Sequence, residues 1–542
     1  MATRDEVEMQ KAPSSSMRAE VNPVQEFHKS RDERELARFG KTQQLRRNFG
    51  LLSIVGLTCT LMITWEGTTT YVHKVTLRPK RFSLTPTFSA FQAGLYNGGP
   101  SGLVYGFLFS WVGSLLQALV MAEMASMIPL AGGQYNWVAV LSPPAWSKFL
   151  SYMTGWMTVV SWHAALASSA FLAGGMIQGL LVLNYPTYSF ERWHGTLLFY
   201  AVIFCSLFVN TYLARLLPSI ESIVLILHIL GFFCILIPLT YLAPHHSAKE
   251  VFADFANAGG WSSTGLSFFI GLATSMFAFI GIDAAGHMAE EIENASTVIP
   301  SSMIISVLLN GAFGFAMVVA LLFCLGDVTK ALETETHYPY IEVYRQATNS
   351  IAGAIAMSSV IIMAMFLACI GALATASRMT WAFAREKGLP GYTRLSRVNA
   401  RTALPLYSIA VCAVSSFLLA LINIGSSVAF NALVSLVIAS FYSSFLLSAA
   451  VMLHKRLTAS PDEIIWGPFK LGSAGVPVTV LSMIYSVIGI FFSFFPPTAE
   501  VTPETMNWSV VVFFGVMIFS LVFWALHGRS VYEGPIREIA SD

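Results

Sequence analysis

The chain predicts an all-α polytopic membrane protein with about twelve transmembrane helices, and three observations carry that reading. Hydrophobic residues make up 55% of its 542 residues and charged residues only 11%, a balance too apolar for a soluble chain that must also supply a polar surface. Apolar blocks long enough to cross a bilayer, about 20 residues each, recur from Phe49 to Leu526. Residues 1–48 contain no apolar run, so no cleavable leader is expected and the first span serves as the insertion signal.

The first expected span starts at Phe49 and is interrupted; the second is Gly102–Met127. The others are Lys148–Leu183, Thr196–Leu213, Ser219–Leu242, Leu266–Met288, Ser301–Leu325, Ile351–Phe383, Leu404–Ile424, Ala429–Leu453, Val476–Phe495 and Trp508–Leu526. An even number of spans puts both tails, 1–48 and 528–542, on one side of a domain covering 49–527. With that side cytoplasmic, the inner loops hold Lys148, Arg215, Arg385, Lys387, Arg394, Arg397, Arg401, Lys455, Arg456 and Lys470. The outer loops hold Arg192, Lys249, Lys330 and Arg345, so the excess of positive charge supports the orientation. The N-terminal tail mixes charges of both signs and reads as disordered.

One stretch breaks the pattern. Tyr71–Ala90 places Lys74, Arg78, Lys80 and Arg81 beside the first span. Each such charge at mid-bilayer costs about 2.5–3.5 kcal/mol on insertion scales, so the stretch is not membrane-spanning. Joining Thr70 to Phe91 restores an apolar helix that runs to the turn Asn97-Gly98-Gly99-Pro100. A translated intron is therefore the expectation, with a genuine outer loop as its competitor.

Composition also excludes functions. A net charge of +1, with the basic residues scattered over loops and the N-terminal tail, offers no groove for nucleic acid. The six cysteines have no paired ligand spacing and read as small packing residues, so neither metal nor other cofactor is expected. No nucleophile and base stand at helical spacing, which argues against an enzyme.

Irregular backbone survives in a membrane only where it lines a cavity, so glycine among polar residues inside a span is a candidate site. The first span offers Gly56, Thr58, Cys59 and Thr60; a helix unwound there would present backbone N–H groups to an anion, and close helix packing is the competing reading. The sixth offers Phe277, Ala278, Phe279 and Gly281, followed by Asp283, an acidic residue that is a functional candidate by default unless a neighbouring backbone satisfies it.

Three ordered motifs give these signals a family. Phe277–Glu291 with Ile299-Pro300 resembles the sixth helix of the amino acid, polyamine and organocation superfamily. Glu123-Met124-Ala125-Ser126 with Pro129, Gly132-Gly133-Gln134-Tyr135 and Trp137 is similar to its first inner loop, and Ser377-Arg378 through Ala384–Pro390 to its signature after the eighth helix. Thr64-Trp65, Asn97–Pro100 and Phe495-Pro496-Pro497 before Met506-Asn507 resemble the fungal amino acid and choline transporters, GABA permeases among them. The similarity spans about Phe49 to Leu526 without Tyr71–Ala90.

The resemblance implies two inverted five-helix repeats plus two extra helices, with helices 1 and 6 broken. It implies a secondary transporter importing amino acids, GABA, polyamines or choline-like cations by alternating access. A non-transporting nutrient sensor with the same fold is the alternative. Gly56, Thr58, Cys59 and Thr60 would meet the polar end of the substrate, and Phe277, Ala278, Phe279 and Gly281 the opposite wall. Phe277, Phe279 and Trp65 could hold an ammonium group by cation–π attraction, and Glu66 could neutralise an amine. His228 occupies what looks like the position of a lysine in proton-coupled relatives, where a histidine could do similar work; His163 is a weaker candidate. Glu123, Gly132, Gly133, Glu290 and Arg378 are expected to shape and gate the inner side. An uptake permease implies the plasma membrane.

Overall fold

Glycine and proline set where the helices start, and small residues set how closely they pack. The computed structural model describes residues 31–70, 94–327, 330–331, 334–425, 429–460, 463–503 and 505–535. The stretch Tyr71–Ala90, residues 1–30 of the expected tail and the end of the chain after 535 lie outside the described residues.

Among the described residues twelve apolar helical units follow one another. They are α1 (α1a, Leu51–Leu61, and α1b, Trp65–Thr70), α2 (Gly99–Met127), α3 (Pro144–Asn184), α4 (Arg192–Tyr212), α5 (Leu217–Leu242), α6 (α6a, Thr264–Ala278, and α6b, Ala284–His287), α7 (Ala295–Phe323), α8 (Ile351–Arg385), α9 (Leu406–Gly425), α10 (Ala429–Thr458), α11 (Gly475–Ser493) and α12 (Ser509–Phe523). Ten are long and apolar enough to cross a membrane; the other two apolar helices, α1 and α6, are short because each is interrupted. The two interruptions stand five helices apart, as an inverted repeat requires.

α2 shows the local logic at its start. Gly98 and Gly99 take φ of 115° and 70°, values that strain any residue with a Cβ, and Pro100 follows at the helix start, where its missing N–H costs nothing. α5 shows the packing logic. Glu221, Leu225, His228, Phe232, Ile235 and Leu239 recur at spacings of three and four and are buried, whereas Ile223, Ile226, Leu230 and Ile237 are exposed on the other side. In lipid that exposed stripe is the hydrocarbon-facing side, and the buried one, carrying the polar groups, faces α1.

The N-terminal segment corrects one expectation. Its described part is ordered: Arg31–Arg38 is helical, and Asp32 accepts from the N–H groups of Asn294 and Ala295 at 2.9 and 3.1 Å, satisfying the start of α7. Lys41 pairs with Glu386 at 2.5 Å, both fully buried, and Phe49 forms a bridge with Ile292. We call this side of the protein the N-terminal face.

Candidate transport site at the two helix breaks

α1 unwinds at Met62, Ile63 and Thr64, not at Gly56. The sequence pointed to Gly56 as the break, but α1a runs through it, because the glycine serves close approach to a neighbour: a Cβ on Gly56 would stand 2.1 Å from the Glu221 carbonyl oxygen of α5. Thr58 and Thr60 donate their hydroxyls back to Ile54 and Gly56 carbonyls of their own helix at 2.8 Å, and Cys59 is buried beside Val55 and Leu225. The break itself is held from outside, where Thr64 Oγ1 and Asn310 Oδ1 of α7 are 2.7 Å apart.

Immediately after the break stand Trp65 and Glu66. Glu66 Oε1 lies 2.7 Å from His228 Nδ1, with both side chains at most 2% exposed. Trp65 Nε1 lies 3.2 Å from His228 Nε2, and the indole sits over Gly231, where a Cβ would come within 3.4 Å of it. Indole nitrogen only donates and an ionised carboxylate only accepts. The 2.7 Å contact between Glu66 Oε1 and His228 Nδ1 holds a proton between the two groups, and Trp65 Nε1, also 3.3 Å from Nδ1, directs its N–H at the same ring.

α6 unwinds from Phe279 to Asp283, where the sequence expected it, and Gly281 adopts φ of 101°. The two breaks touch, since a Cβ on Gly281 would meet Leu61 Cβ and carbonyl oxygen at 3.2 Å. Phe279 is buried with its ring centroid 5.1 Å from that of Phe107, and Phe107 in turn reaches Gly314 of α7 next to Thr64. Phe277 and Ala278 are buried at the end of α6a. Asp283 is fully buried and its Oδ2 accepts from Gln134 Nε2 at 2.7 Å and Trp162 Nε1 at 3.4 Å, with His287 Nε2 at 3.0 Å.

Toward the N-terminal face the charges pair. Glu290 forms a forked bond with Arg385 at 2.6 and 3.0 Å, and Arg378 meets Glu291 at 2.7 Å. Glu123 pairs with Arg456 and accepts from the Leu471 N–H at 2.7 Å. Gly132 fits against the ring of Tyr135, and Gly133, with φ of 54°, against the ring of His287. His163 lies apart from both breaks, between Ser415 Oγ at 2.7 Å and Thr380 Oγ1 at 3.0 Å.

Sequence reasoning did not select His287, Gln134, Trp162, Asn310 or Glu221 as site residues. The four-residue spacing of Asp283 and His287 was a usable signal; the others meet their partners only through tertiary packing. Among the described residues no group of three or more His, Cys, Asp or Glu side chains is placed to hold a metal ion.

Comparison with known proteins gives the chain a family. Residues 49–517 match the family model described as amino acid permease. A protein of Macrophomina phaseolina named as an amino acid/polyamine transporter is 34% identical over 438 residues, 79% of this chain and 95% of its own. A choline transporter of Saccharomyces cerevisiae is 31% identical over 493 residues, 90% of this chain and 83% of its own. An amino-acid permease of Arabidopsis thaliana is 27% identical over 527 residues, 93% and 96% respectively. An all-helical membrane chain with two broken helices in contact, matched along most of its length by permeases, belongs to the amino acid permease family.

Proposed function

We propose that this permease imports small nitrogen-containing solutes, amino acids such as GABA or choline-like cations, by alternating access coupled to protons. The substrate binds at the paired breaks. Met62–Thr64 and Phe279–Asp283 supply backbone groups released from helical bonding, and Trp65, Phe277 and Phe279 supply aromatic faces for an ammonium group, each worth about 0.5–2 kcal/mol depending on desolvation. Gly56, Thr58, Cys59 and Thr60 support this site through the wall behind it, because Gly56 presses on α5, the two hydroxyls bond to their own helix, and Cys59 is buried beside Val55 and Leu225.

The observation that carries the reading is the buried Glu66–His228 pair next to the α1 break. It joins a helix that must move in transport to one packed beside it, and a proton taken up there changes its charge by one unit. Protonation from the outer side permits the loaded protein to close. Release on the cytoplasmic side, the N-terminal face in this reading, restores the charge. The pairs Glu290–Arg385, Glu291–Arg378 and Glu123–Arg456 hold that face shut until then, in a protein resident in the plasma membrane with both termini cytoplasmic.

Uptake of labelled choline, GABA and a mixed amino acid panel in transport-deficient cells at acidic and neutral external pH tests the proposal. Saturable uptake of one solute, faster at acidic pH, is the expected result. No uptake by protein shown to be at the cell surface would favour a sensor with a permease fold.

A further inference from the structure

Two buried acid–histidine pairs sit near the breaks. In the first, the indole N–H of Trp65 lies about equally far from both ring nitrogens of His228, at 3.3 and 3.2 Å. In the second, an acceptor faces one ring nitrogen: His287 Nδ1 lies 3.1 Å from the Ala131 carbonyl oxygen. A carbonyl cannot donate, so Nδ1 must carry a proton. The other nitrogen, Nε2, faces Asp283 Oδ2 at 3.0 Å. With Nδ1 already protonated, a neutral ring offers only a lone pair on Nε2, and a lone pair opposite a carboxylate oxygen is repulsive. One more proton has to lie between Nε2 and Oδ2, as imidazolium with carboxylate or as imidazole with carboxylic acid.

We propose that Asp283 and His287 form a second proton site, a dyad that holds one exchangeable proton and by it fastens α6b to the Ala131–Gln134 loop. The loop is bound to the dyad at both of its ends, through the Ala131 carbonyl on Nδ1 and the Gln134 amide on Oδ2. Gly133 lets the loop backbone press on the imidazole, since a Cβ there would meet Cε1 at 3.0 Å. Both dyad side chains are fully buried, so loss of the proton leaves a carboxylate against a lone pair away from bulk solvent, a costly state. The proton stays while the loop is closed and leaves to a water that enters as the loop parts. Asp283 Oδ1, buried and without a hydrogen-bond partner among the described residues, is the acceptor such a water would reach.

Neighbouring charges are accounted for on every element packed on the dyad. On its own element Glu290 and Glu291 are bonded to Arg385 and Arg378 of α8. The loop presents Gln134 and α3 presents Trp162, which do not titrate in the relevant range; α7 presents Met303 against Gly286. α1a, Leu51–Leu61, contains no acidic or basic residue. The inference deepens the proton-coupled reading by placing a proton at the loop as well as at Glu66–His228.

The test needs no transported solute. In reconstituted protein carrying Cys205→Ala and Cys234→Ala, a cysteine introduced by Ala131→Cys is labelled with a maleimide from about pH 5 to about pH 8. Divided at each pH by the rate for the same protein unfolded, which cancels the growing thiolate fraction, the labelling rate is expected to rise about tenfold with pH as the dyad deprotonates and the loop loosens. It is flat in Asp283→Asn, which has no carboxyl to titrate; with its amide nitrogen at the Oδ2 position it donates to Nε2 and gives up the bond from Gln134. Equal pH profiles in the two proteins overturn the proposal. Should Asp283→Asn fail to fold, the emission of Trp162, isolated by subtracting Trp162→Phe, reports the charge beside it: titration over the same range supports the dyad and a flat response overturns it. Neither readout uses a pH gradient or substrate, so failure here leaves the transport reading standing, and failure of acid-stimulated uptake leaves the dyad standing.

Discussion

Glu66 and His228 lie 162 positions apart in sequence and 2.7 Å apart in space, and the contact ties the first residues after the α1 break to the buried stripe of α5. Any motion that reorients α1b must carry Glu66 relative to His228. A titratable contact across a moving joint is the physical requirement for linking proton binding to a change of access.

The joint between the breaks depends on Gly281. Gly281→Ala puts a Cβ at φ of 101° and within 3.2 Å of Leu61, at a cost of about 1–2 kcal/mol for the backbone alone. The protein should still reach the membrane, with uptake falling several times more than surface abundance. Flow cytometry of a tagged variant beside uptake separates the two quantities.

The hydroxyls of α1a are structural in their immediate contacts. Thr58→Val and Thr60→Val remove only bonds to carbonyls of their own helix and should change thermal stability by less than about 1 kcal/mol, leaving the half-saturating substrate concentration as it was. Thr64→Val, which cuts the link to Asn310, should cost about 1–2 kcal/mol. If Thr58→Val instead weakened binding selectively, α1a would have to turn that hydroxyl toward substrate during the cycle.

Glu290 and Arg385 are a buried pair, 0% and 6% exposed. Arg385→Gln alone strands a buried carboxylate and should destabilise the purified protein by about 3–5 kcal/mol, whereas adding Glu290→Gln should recover part of the loss. Melting midpoints of the single and double variants in detergent provide the comparison; a double variant no better than Arg385→Gln would assign the loss to the guanidinium's stacking on Trp381.

We propose that Tyr71–Ala90 is intron-derived. Sequencing the mature transcript across Glu66–Gln92 should show the codons absent, and protein lacking the stretch should accumulate at the surface to a higher level. Their presence in the mature message would make the stretch an outer loop.

Much of the architecture was legible because lipid imposes long apolar runs, and the α6 break because Gly281 and Asp283 sit together in one. The α1 break was misread for a physical reason. Gly56 is the residue that signals local flexibility, but it is spent on contact with α5, while the chain unwinds at Met62–Thr64 with no glycine present, held by Asn310 and by the contact of Leu61 with Gly281. Such a break is written in tertiary contacts, not in local propensity. Glu66 and His228 were each recognisable as polar residues in apolar surroundings. Their pairing, like that of Arg378 with Glu291 across 87 positions, was not, since nothing local in the chain ties one partner to the other.

The most direct measurement is concentrative uptake into proteoliposomes under an imposed inward proton gradient, comparing the native protein with Glu66→Gln, using the solute that the cell panel identifies. Glutamine can accept the same bond from His228 Nδ1 but cannot change charge. Glu66→Gln should keep substrate exchange at equal pH and lose gradient-driven accumulation by about tenfold or more. Accumulation by Glu66→Gln equal to that of the native protein would contradict proton coupling through the Glu66–His228 pair.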